Sequence, residues 1–257
     1  MNFTNLAAKA ASDTAIRTNW NIYSWLLDTL SIGGTQSALW LLLGGVVLCM
    51  VIPYILGSIN PAIIISNKVY HDDIRSHGSG NAGTTNTLRT FGTKMAALIF
   101  ALDFLKAILA VVIGSLIMSR EMGGAIAGLF VILGHTFPVF YRFKGGKGVA
   151  SLAGVVLILS PISFAILIPL FVAIVLMSRY VSLGSVMGVM LYPIIQFAFY
   201  PQHGWITLSA ILIMILIVFM HRENIKRLMA GKESKISFSS KKKEEKKADA
   251  SDDQQQN

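Results

Sequence analysis

Apolar residues lie along this chain in long runs that contain few charged positions. A run of about 18 or more apolar residues is typical of a helix that crosses a membrane. Polar and charged residues are concentrated between these runs and at the two ends of the chain. The pattern therefore predicts seven membrane-spanning helices, at residues 39–57, 95–118, 123–140, 149–160, 162–177, 184–200 and 206–220.

The fourth and fifth predicted helices share one apolar run, which is interrupted by Ser160 and Pro161. Each of these two helices is shorter than the roughly 20 residues that cross a bilayer squarely. Proline is favoured in the first turn of a helix, where its missing N–H costs nothing. We therefore expect a tight helical hairpin with Pro161 at its tip.

The composition excludes a soluble single domain. Of the 257 residues, 54% are hydrophobic and 14% are charged, whereas an average globular domain has about 45–50% apolar and about 25% charged residues. We predict an all-α integral membrane protein, built as a bundle of seven transmembrane helices. The single cysteine, Cys49, lies within an apolar run, so neither a disulfide framework nor a CxxC metal site is expected.

The basic residues between the predicted helices indicate the orientation of the bundle, whose formal charge is +9. Eighteen of the 22 Lys and Arg residues fall on one side, and Lys106 lies within a helix. The three on the other side are Lys9, Arg17 and Arg120. Positively charged loops stay in the cytoplasm, and the four tryptophans lie near the opposite face, as interfacial aromatics should. We predict the N-terminus outside and the C-terminus in the cytoplasm.

Three regions are expected along the chain. Residues 1–38 form an N-terminal extension that includes a weakly amphipathic, interfacial segment. Residues 39–235 form the membrane domain. Residues 236–257 are rich in lysine and of low complexity, which predicts a disordered cytoplasmic tail.

The polar segment after the first predicted helix combines glycines with hydrogen-bond donors. Gly78, Gly80 and Gly83 match G-x-G-x-x-G, but that dinucleotide motif must follow a strand, and the neighbours here are membrane helices. Glycines still allow backbone N–H groups to approach an anion closely. We therefore predict phosphate binding, with an ordinary flexible loop as the alternative. The candidate ligands are Ser79, Gly80, Asn81, Gly83, Thr85, Asn86 and Arg89.

The segment after the third predicted helix places Lys147 among three glycines, Gly145, Gly146 and Gly148. A nucleotide-binding P-loop requires Ser or Thr after its lysine, and Gly148 stands there, so an NTPase is disfavoured. Glycines around a lysine suit a phosphoryl group or an oxyanion. Lys147 is therefore a candidate charge stabiliser, although a basic loop on the cytoplasmic side would by itself account for neighbouring Arg142 and Lys144.

Further polar candidates lie at or within the predicted helices. His221 and Asn224 share one helical face after the last span, and His221 is either an interfacial anchor or a substrate contact. Ser185 is another candidate substrate contact, with helix capping as its alternative role. Asp103 and Lys106 lie within the second span, where an ionisable pair is functional or structural; we favour a structural pair.

Three sequence motifs carry a resemblance to a known family: GSGNAGTTNTLR, GHTFPVFYRFKGGKGVAS and HRENIKRLMAGKE. Together they resemble the bacterial acyl-phosphate-dependent glycerol-3-phosphate acyltransferases, the PlsY family of integral membrane enzymes, over roughly residues 56–235. The family usually has Gly-Ser-Ile-Pro where residues 57–61 read Gly-Ser-Ile-Asn-Pro, Ala where Thr84 stands, and Thr where Ser151 stands. None of these differences removes a donor or a charge that the expected chemistry needs.

The resemblance implies a reaction, its substrates and a location. A fatty acyl group would pass from acyl phosphate to a hydroxyl of sn-glycerol 3-phosphate. The products would be 1-acylglycerol 3-phosphate (lysophosphatidic acid) and phosphate, in the first step of phospholipid synthesis. The site would face the cytoplasm from the bacterial inner membrane, without cofactor or metal. The expected partners are these substrates and membrane lipid, not nucleic acid, with functional coupling to the enzyme that makes acyl phosphate.

The residues also restrict the mechanism. Other common glycerolipid acyltransferases use H-x-x-x-x-D, and none of the five histidines has Asp at that spacing. No Ser-His-Asp triad is evident. We expect catalysis by positioning and electrostatics, with Lys147 and Arg89 stabilising the leaving phosphate and the oxyanion. The base is the acceptor's own phosphate, whose second pKa is about 6, or His221 beside Asn224; acylation of Ser79 is a third option.

A membrane transporter for an organic phosphate is the alternative function. Broken helices and inverted repeats would support transport, and neither is apparent in the sequence. The candidate anion-binding residues lie in segments at one face of the membrane instead of at its midplane. Acyl transfer is therefore the favoured function.

Overall fold

The computed structural model describes residues 21–29 and 35–236, and within them every regular element is helical. Most of the predicted N-terminal extension, and all of the predicted tail except Ile236, lie outside the described residues. The described residues form eleven α-helices, in the order α1 (Ile22–Thr29), α2 (Thr35–Ser58), α3 (Pro61–Val69), α4 (Thr84–Phe91), α5 (Thr93–Ile117), α6 (Met122–Thr136), α7 (Val149–Leu159), α8 (Pro161–Ser178), α9 (Val181–Phe199), α10 (Gly204–Met220) and α11 (Arg222–Met229). Two short 3-10 helices lie at Ile74–Ser76 and Val139–Tyr141.

Each of the seven predicted spans corresponds to one helix: α2, α5, α6, α7, α8, α9 and α10. In the part of the chain that the structure describes, five segments are long and apolar enough to cross a membrane. These are Gln36–Val69, Thr93–Ile117, Met122–Tyr141, Pro161–Ser178 and Val181–Phe199. Helices α10 and α11 form a sixth candidate, bent by 59° at their break. Helix α7 has only 11 residues, about 16 Å of helix, which is well short of a bilayer.

The hairpin expected at Pro161 is present in the structure. Helix α7 ends at Leu159, and α8 begins with Pro161 in its first turn. Arg120, in the connection between α5 and α6, donates from Nη2 to the carbonyl oxygens of Ile158 and Leu159, at 2.9 and 3.0 Å. A cation at the C-terminal end of α7 satisfies carbonyl groups that have no partner within the helix.

Asn60, the residue at which the chain departs from the pattern of the family that it resembles, is the N-cap of helix α3. Its Oδ1 accepts from the N–H of Ile63 at 3.1 Å, and Pro61 follows it in the first turn. Its Nδ2 donates to the carbonyl oxygen of Ala82 at 3.3 Å. The additional residue therefore caps a helix and ties it to the glycine-containing segment that follows.

Helices α2 and α6 cross at two glycines that allow the backbones to approach closely. A Cβ on Gly57 would lie 2.2 Å from the carbonyl oxygen of Val131, and one on Gly134 would lie 2.1 Å from that of Tyr54. Small residues at a crossing are typical of helix packing in membranes. Any larger side chain at either position would force these helices apart.

Much of the apolar surface is exposed, as expected where lipid is the solvent. Only 11% of the residues in the most apolar part of Gln36–Val69 are buried inside the protein. Trp40, Leu105, Ile194 and Phe197 are all more than half exposed. The buried core is made mainly by α5, α6, α7, α9 and α10, with Leu167 from α8, and Tyr192 is among its largest fully buried side chains.

Candidate active site

A polar cavity of about 240 Å³ lies where α4, α7, α9 and α11 meet. Ten of the thirteen predicted site residues line this cavity: Ser79, Asn81, Gly83, Thr85, Asn86, Arg89, Lys147, Ser185, His221 and Asn224. The remaining three, Gly80, Gly145 and Gly146, are not among the lining residues. The structure thus brings together residues from four separate segments of the sequence.

Asn86 holds the glycine-containing loop in place. Its Oδ1 accepts from the N–H of Ser79 at 2.9 Å, and its Nδ2 donates to the carbonyl oxygens of Ile74 and His77, at 3.0 and 2.9 Å. Gly78, in the left-handed region at φ +56°, leaves no room for a Cβ, which would lie 2.3 Å from Asn86 Oδ1. The amide donors of Asn86 are therefore used to fold the loop instead of being free for a ligand.

The glycine N–H groups that we expected to surround an anion also have partners within the protein. Gly80 donates to the His77 carbonyl at 2.9 Å, and Gly83 donates to the Asn81 carbonyl at 3.0 Å. Helix α4 begins at Thr84, immediately after Gly83. The first-turn N–H groups of a helix have no intrahelical partner and favour anions. The beginning of α4, which lines the cavity, is thus the backbone site best suited to a phosphate.

Gly145 and Gly146 pack their loop against the end of α6. Their N–H groups donate to the carbonyl oxygens of Thr136 and His135, at 3.2 and 3.1 Å. A Cβ on Gly146 would lie 2.0 Å from His135 Nε2. These glycines therefore position Lys147, the next residue, without presenting their own N–H groups to the cavity.

Lys147 is a half-buried cation whose Nζ donates to Asn224 Oδ1. Burial lowers the pKa of Lys147 to about 8, and the nearby positive charges of Arg227 and Arg89 act in the same direction. The carboxylate of Glu233 partly opposes this shift. An anion that enters the cavity would therefore raise the pKa of Lys147 again and favour its charged form.

Glu233 is a cavity residue that the sequence analysis did not identify. Its Oε1 accepts from Asn224 Nδ2 at 2.7 Å, and its Oε2 accepts from Arg227 Nε at 2.8 Å. Burial raises the pKa of this carboxyl, but the hydrogen bonds from Arg227 and Asn224 outweigh burial and hold the pKa below its ordinary value. Glu233 lies at the end of the third motif, and that location was its only signal in the sequence.

The C-terminal segment after α11 closes one side of the cavity. Arg89 donates from Nη2 to the carbonyl oxygen of Ser234 at 3.3 Å, and Ile236 donates its N–H to the carbonyl oxygen of Arg179 at 2.8 Å. Glu233 directly precedes Ser234, the first of these two contacts, in the chain. The segment thereby connects α4 with the α8–α9 turn.

His221 lies at the bend between α10 and α11 and is only 4% exposed. Its Nδ1 lies 2.8 Å from the carbonyl oxygen of Ile217. A carbonyl oxygen only accepts, so Nδ1 carries the proton, and Nε2 of the neutral ring is left as an acceptor. The hydroxyl of Ser185 donates to the Val181 carbonyl at 2.9 Å within helix α9. Its proton is therefore already used in a hydrogen bond within the protein, whereas Nε2 of His221 is left as an acceptor.

A buried ionic cluster lies beside the cavity. Lys106 Nζ is 2.7 Å from Asp103 Oδ1, which confirms the expected contact between the two residues. His135 completes the cluster, with Nδ1 3.2 Å from the same carboxylate oxygen, and the sequence analysis gave it no role. Lys106 also donates to the carbonyl oxygens of Gly57 and Ile59, at 3.1 and 2.9 Å. Asp103 and His135 line the cavity.

An apolar groove of about 240 Å³ lies next to the polar cavity, between α7, α8 and α9. Phe100, Val149, Phe171 and Ser185 line both spaces, so the cavity and the groove are adjacent. The groove reaches the outer surface of the bundle at Val172, which is 45% exposed. Within the described ranges, no group of three His, Cys, Asp or Glu residues is placed to hold a metal ion.

A polar cavity that holds Lys147 and Arg89 beside an apolar groove, in a helical bundle with an exposed apolar surface, defines an integral membrane protein with a polar site next to an apolar one. The sequence profile described as glycerol-3-phosphate acyltransferase matches residues 47–231. The chain therefore belongs to the glycerol-3-phosphate acyltransferase family.

Individual relatives agree with this assignment. The chain is 44% identical over 190 residues to a glycerol-3-phosphate acyltransferase of Thermoanaerobacter sp. (strain X514), which covers 74% of this chain and 95% of the relative. It is 36% identical over 194 residues to that of Bacillus subtilis (strain 168), which covers 75% and 98%.

Two solved structures have the same fold, and both are crystal structures of PlsY, an integral membrane glycerol 3-phosphate acyltransferase. The glycerol 3-phosphate form is 37% identical, with a TM-score of 0.68, and covers 75% of this chain and 96% of that one. The lysophosphatidic acid form is 35% identical, with a TM-score of 0.67, and covers 75% and 95%. The chain is accordingly a multi-pass membrane protein.

Proposed function

We propose that this protein transfers a fatty acyl group from acyl phosphate to a hydroxyl of sn-glycerol 3-phosphate. The products are 1-acylglycerol 3-phosphate and phosphate, which begins phospholipid synthesis. The observation that carries the proposal is that the polar cavity, which holds Lys147 and Arg89, shares four lining residues with the apolar groove. The cavity suits two phosphate groups, and the groove suits a hydrocarbon chain. The solved relatives were captured with glycerol 3-phosphate and with lysophosphatidic acid, a substrate and a product of this reaction.

Lys147, Arg89 and the beginning of α4 supply the positive potential of the cavity. A phosphate dianion that binds there favours the charged form of Lys147, whose pKa is otherwise lowered to about 8. Charge-assisted hydrogen bonds are stronger than neutral ones, particularly where water is excluded. These groups would therefore stabilise charge on the leaving phosphate and on the tetrahedral oxyanion.

The chemical step balances without a cofactor. The hydroxyl oxygen of the acceptor attacks the carbonyl carbon of the donor and forms the new ester bond. The bond between that carbon and the phosphate oxygen breaks, and phosphate leaves with the electron pair. We propose that the acceptor's own phosphate dianion takes the hydroxyl proton. His221 Nε2, left as an acceptor by the Nδ1 contact with Ile217, is the rival base.

Asn224 and Glu233 are proposed to hold Lys147 in position. Asn224 accepts from Lys147 and donates to Glu233, so the three side chains form one chain of hydrogen bonds. Asn224 can therefore contribute to catalysis through Lys147 as well as through direct contact with substrate. Acylation of Ser79 is not needed in this mechanism.

The location is part of the same proposal. Residues 39–235 form the acyltransferase domain, which crosses the bacterial cytoplasmic membrane seven times, with α7 as a short crossing that is completed by its hairpin with α8, and which has its N-terminus outside and its C-terminus inside. The distribution of basic residues supports this orientation, which places Arg89 and Lys147 in the cytoplasm. Acyl phosphate is a reactive mixed anhydride, so functional coupling to the enzyme that makes it would limit its loss by hydrolysis.

Purified protein offered acyl phosphate, acyl-CoA and acyl carrier protein in parallel tests the donor. We expect product with acyl phosphate only, because the described cavity suits a phosphoryl leaving group and the chain lacks H-x-x-x-x-D. Robust turnover with acyl-CoA alone would contradict the proposal. Sealed vesicles with labelled glycerol 3-phosphate test the alternative, because a transporter accumulates label without forming acylated product.

A further inference from the structure

Two glycines lie one turn apart on α9, and the structure uses them differently. A Cβ on Gly184 would lie 2.9 Å from Val175 Cγ2 and 3.0 Å from Phe171 Cδ2, so Gly184 allows α8 and α9 to pack closely. A Cβ on Gly188 would meet no heavy atom within 4 Å. Gly188 lines the apolar groove. The open space beside Gly188 is therefore part of the groove.

Gly188 lies beyond the junction between the cavity and the groove. Ser185 marks that junction on α9, because it lines both spaces, whereas Gly188 lines the groove alone. Three residues of helix separate them by about 4.5 Å along the axis. Helix α7 lines the groove from Val149 to Val156, about 10 Å of helix. Gly188 thus lies partway along the groove, at a distance from the reacting groups.

We propose that Gly188 helps to determine the length of the acyl chain that the groove accepts. This inference rests on the proposed function, in which the donor's chain occupies the groove and its carbonyl lies at the Ser185 junction. A side chain at position 188 would occupy space that the distal methylenes of a long chain need. A short chain that ends nearer the junction would not reach it.

The substitutions that test this inference are Gly188→Leu and Gly188→Ala. Both replacement residues favour a helix more than glycine does, so the helix itself should tolerate them. Gly44→Leu is the matched control: Gly44 also has no heavy atom within 4 Å of a Cβ, but it lies on the exposed surface of α2 and lines neither cavity. The measurement is kcat/KM with butyryl phosphate, whose chain ends near the junction, and with palmitoyl phosphate, at saturating glycerol 3-phosphate.

We expect the palmitoyl-to-butyryl ratio of kcat/KM to fall at least about tenfold in Gly188→Leu, since misfit of single methylenes in an apolar pocket costs about that much. The ratio should fall less in Gly188→Ala and stay unchanged in Gly44→Leu. An unchanged ratio in active Gly188→Leu would overturn the inference. If that variant is inactive with both donors, Gly188→Ala decides, and an unchanged ratio there overturns it. Wild-type protein that transfers neither chain would instead overturn the proposed function.

Discussion

At the scale of single residues, the environment of Lys147 controls its charge. Burial, with Arg227 and Arg89 nearby, lowers the pKa of Lys147 to about 8. The ammonium is charged below that pH and neutral above it. Binding of a phosphate that depends on this charge should therefore weaken as the pH rises through about 8.

The pH dependence of kcat/KM for glycerol 3-phosphate tests the charge of Lys147. We expect an alkaline decline near pH 8 in the free enzyme, and a decline at higher pH in kcat, because bound phosphate stabilises the ammonium. Lys147→Arg should retain partial activity without this decline, since a guanidinium stays charged. Lys147→Ala and Arg89→Ala should each lose at least the tenfold that about 1.4 kcal/mol represents. A near-normal rate in folded Lys147→Ala would exclude a catalytic role.

Glu233→Gln should move the same decline to lower pH. The Glu233 carboxylate raises the pKa of Lys147, so replacing it with a neutral amide removes that contribution and lowers the pKa further below 8. Glu223→Gln is the matched control, because Glu223 is exposed and pairs only with Lys226 among the described residues. The comparison is kcat/KM against pH for both variants. A shift of equal size in the control would show that Lys147 senses only the net charge.

The identity of the base can be tested with His221→Ala and with a substrate analogue. If the acceptor's phosphate takes the proton, the variant should retain measurable transfer. An acceptor with a more acidic phosphonate should then move the acid limb of the kcat profile to lower pH, since the group that titrates belongs to the substrate. An unchanged profile with that analogue, together with an inactive His221→Ala protein, would identify the histidine as the base.

The candidate site was largely predictable because its polar residues stand in motifs between apolar runs. Sequence spacing could not show which donors are already used. The amide of Asn86 donates to carbonyl oxygens of its own loop, and the N–H groups of Gly145 and Gly146 donate to carbonyl oxygens at the end of α6. Glu233 and His135 were missed because their roles depend on contacts with residues that are distant in the sequence or lie on another helix.

At the scale of elements, the cluster of Asp103, Lys106 and His135 joins α5, α6 and the end of α2. Lys106 neutralises a carboxylate that is 1% exposed and also binds the carbonyl oxygens of Gly57 and Ile59. Removing one partner of a buried ion pair leaves an uncompensated charge. The cluster therefore links the crossing of α2 and α6 at Gly57 to the wall of the cavity, which Asp103 and His135 line.

Lys106→Met should lower the free energy of unfolding by about 3–5 kcal/mol, because it leaves Asp103 buried without its cation. Lys94→Met on the same helix is the control, since Lys94 is exposed and its charge stays in contact with solvent. Thermal unfolding of both variants in detergent provides the measurement. Equal stability of the two variants would show that the cluster contributes nothing to the fold.

The apolar runs predicted every long helix, and Ser160-Pro161 correctly predicted the hairpin. Of the short helices, α11 was expected as a helical continuation of the last span, whereas α3 and α4 were not predicted. Helix α4 lies in a polar segment where length and hydropathy give no signal, and α3 follows the first span after a break at Ile59 and Asn60. Helix α4 in particular consists largely of threonine and asparagine, which have low helix propensity. Contacts with the neighbouring loops stabilise it instead.

At the scale of the whole molecule, the proposed orientation places the basic segments in the cytoplasm. Single cysteines introduced at Lys144 and at Gln202, both exposed, should react differently with an impermeant reagent in intact cells. We expect labelling at residue 202 and protection at residue 144. Natural Cys49 is buried and should give little background. Labelling of residue 144 from outside would invert the proposed topology.

The opening of the groove at Val172 has a consequence for how the reaction ends. In the proposed reaction, one product is a small anion and the other carries a hydrocarbon chain. The anion leaves the cationic cavity for water, while the acylated product moves sideways through the open groove into the lipid phase. The two products thus partition between immiscible phases as they form, and their separation opposes the reverse reaction without any closing or opening of the protein.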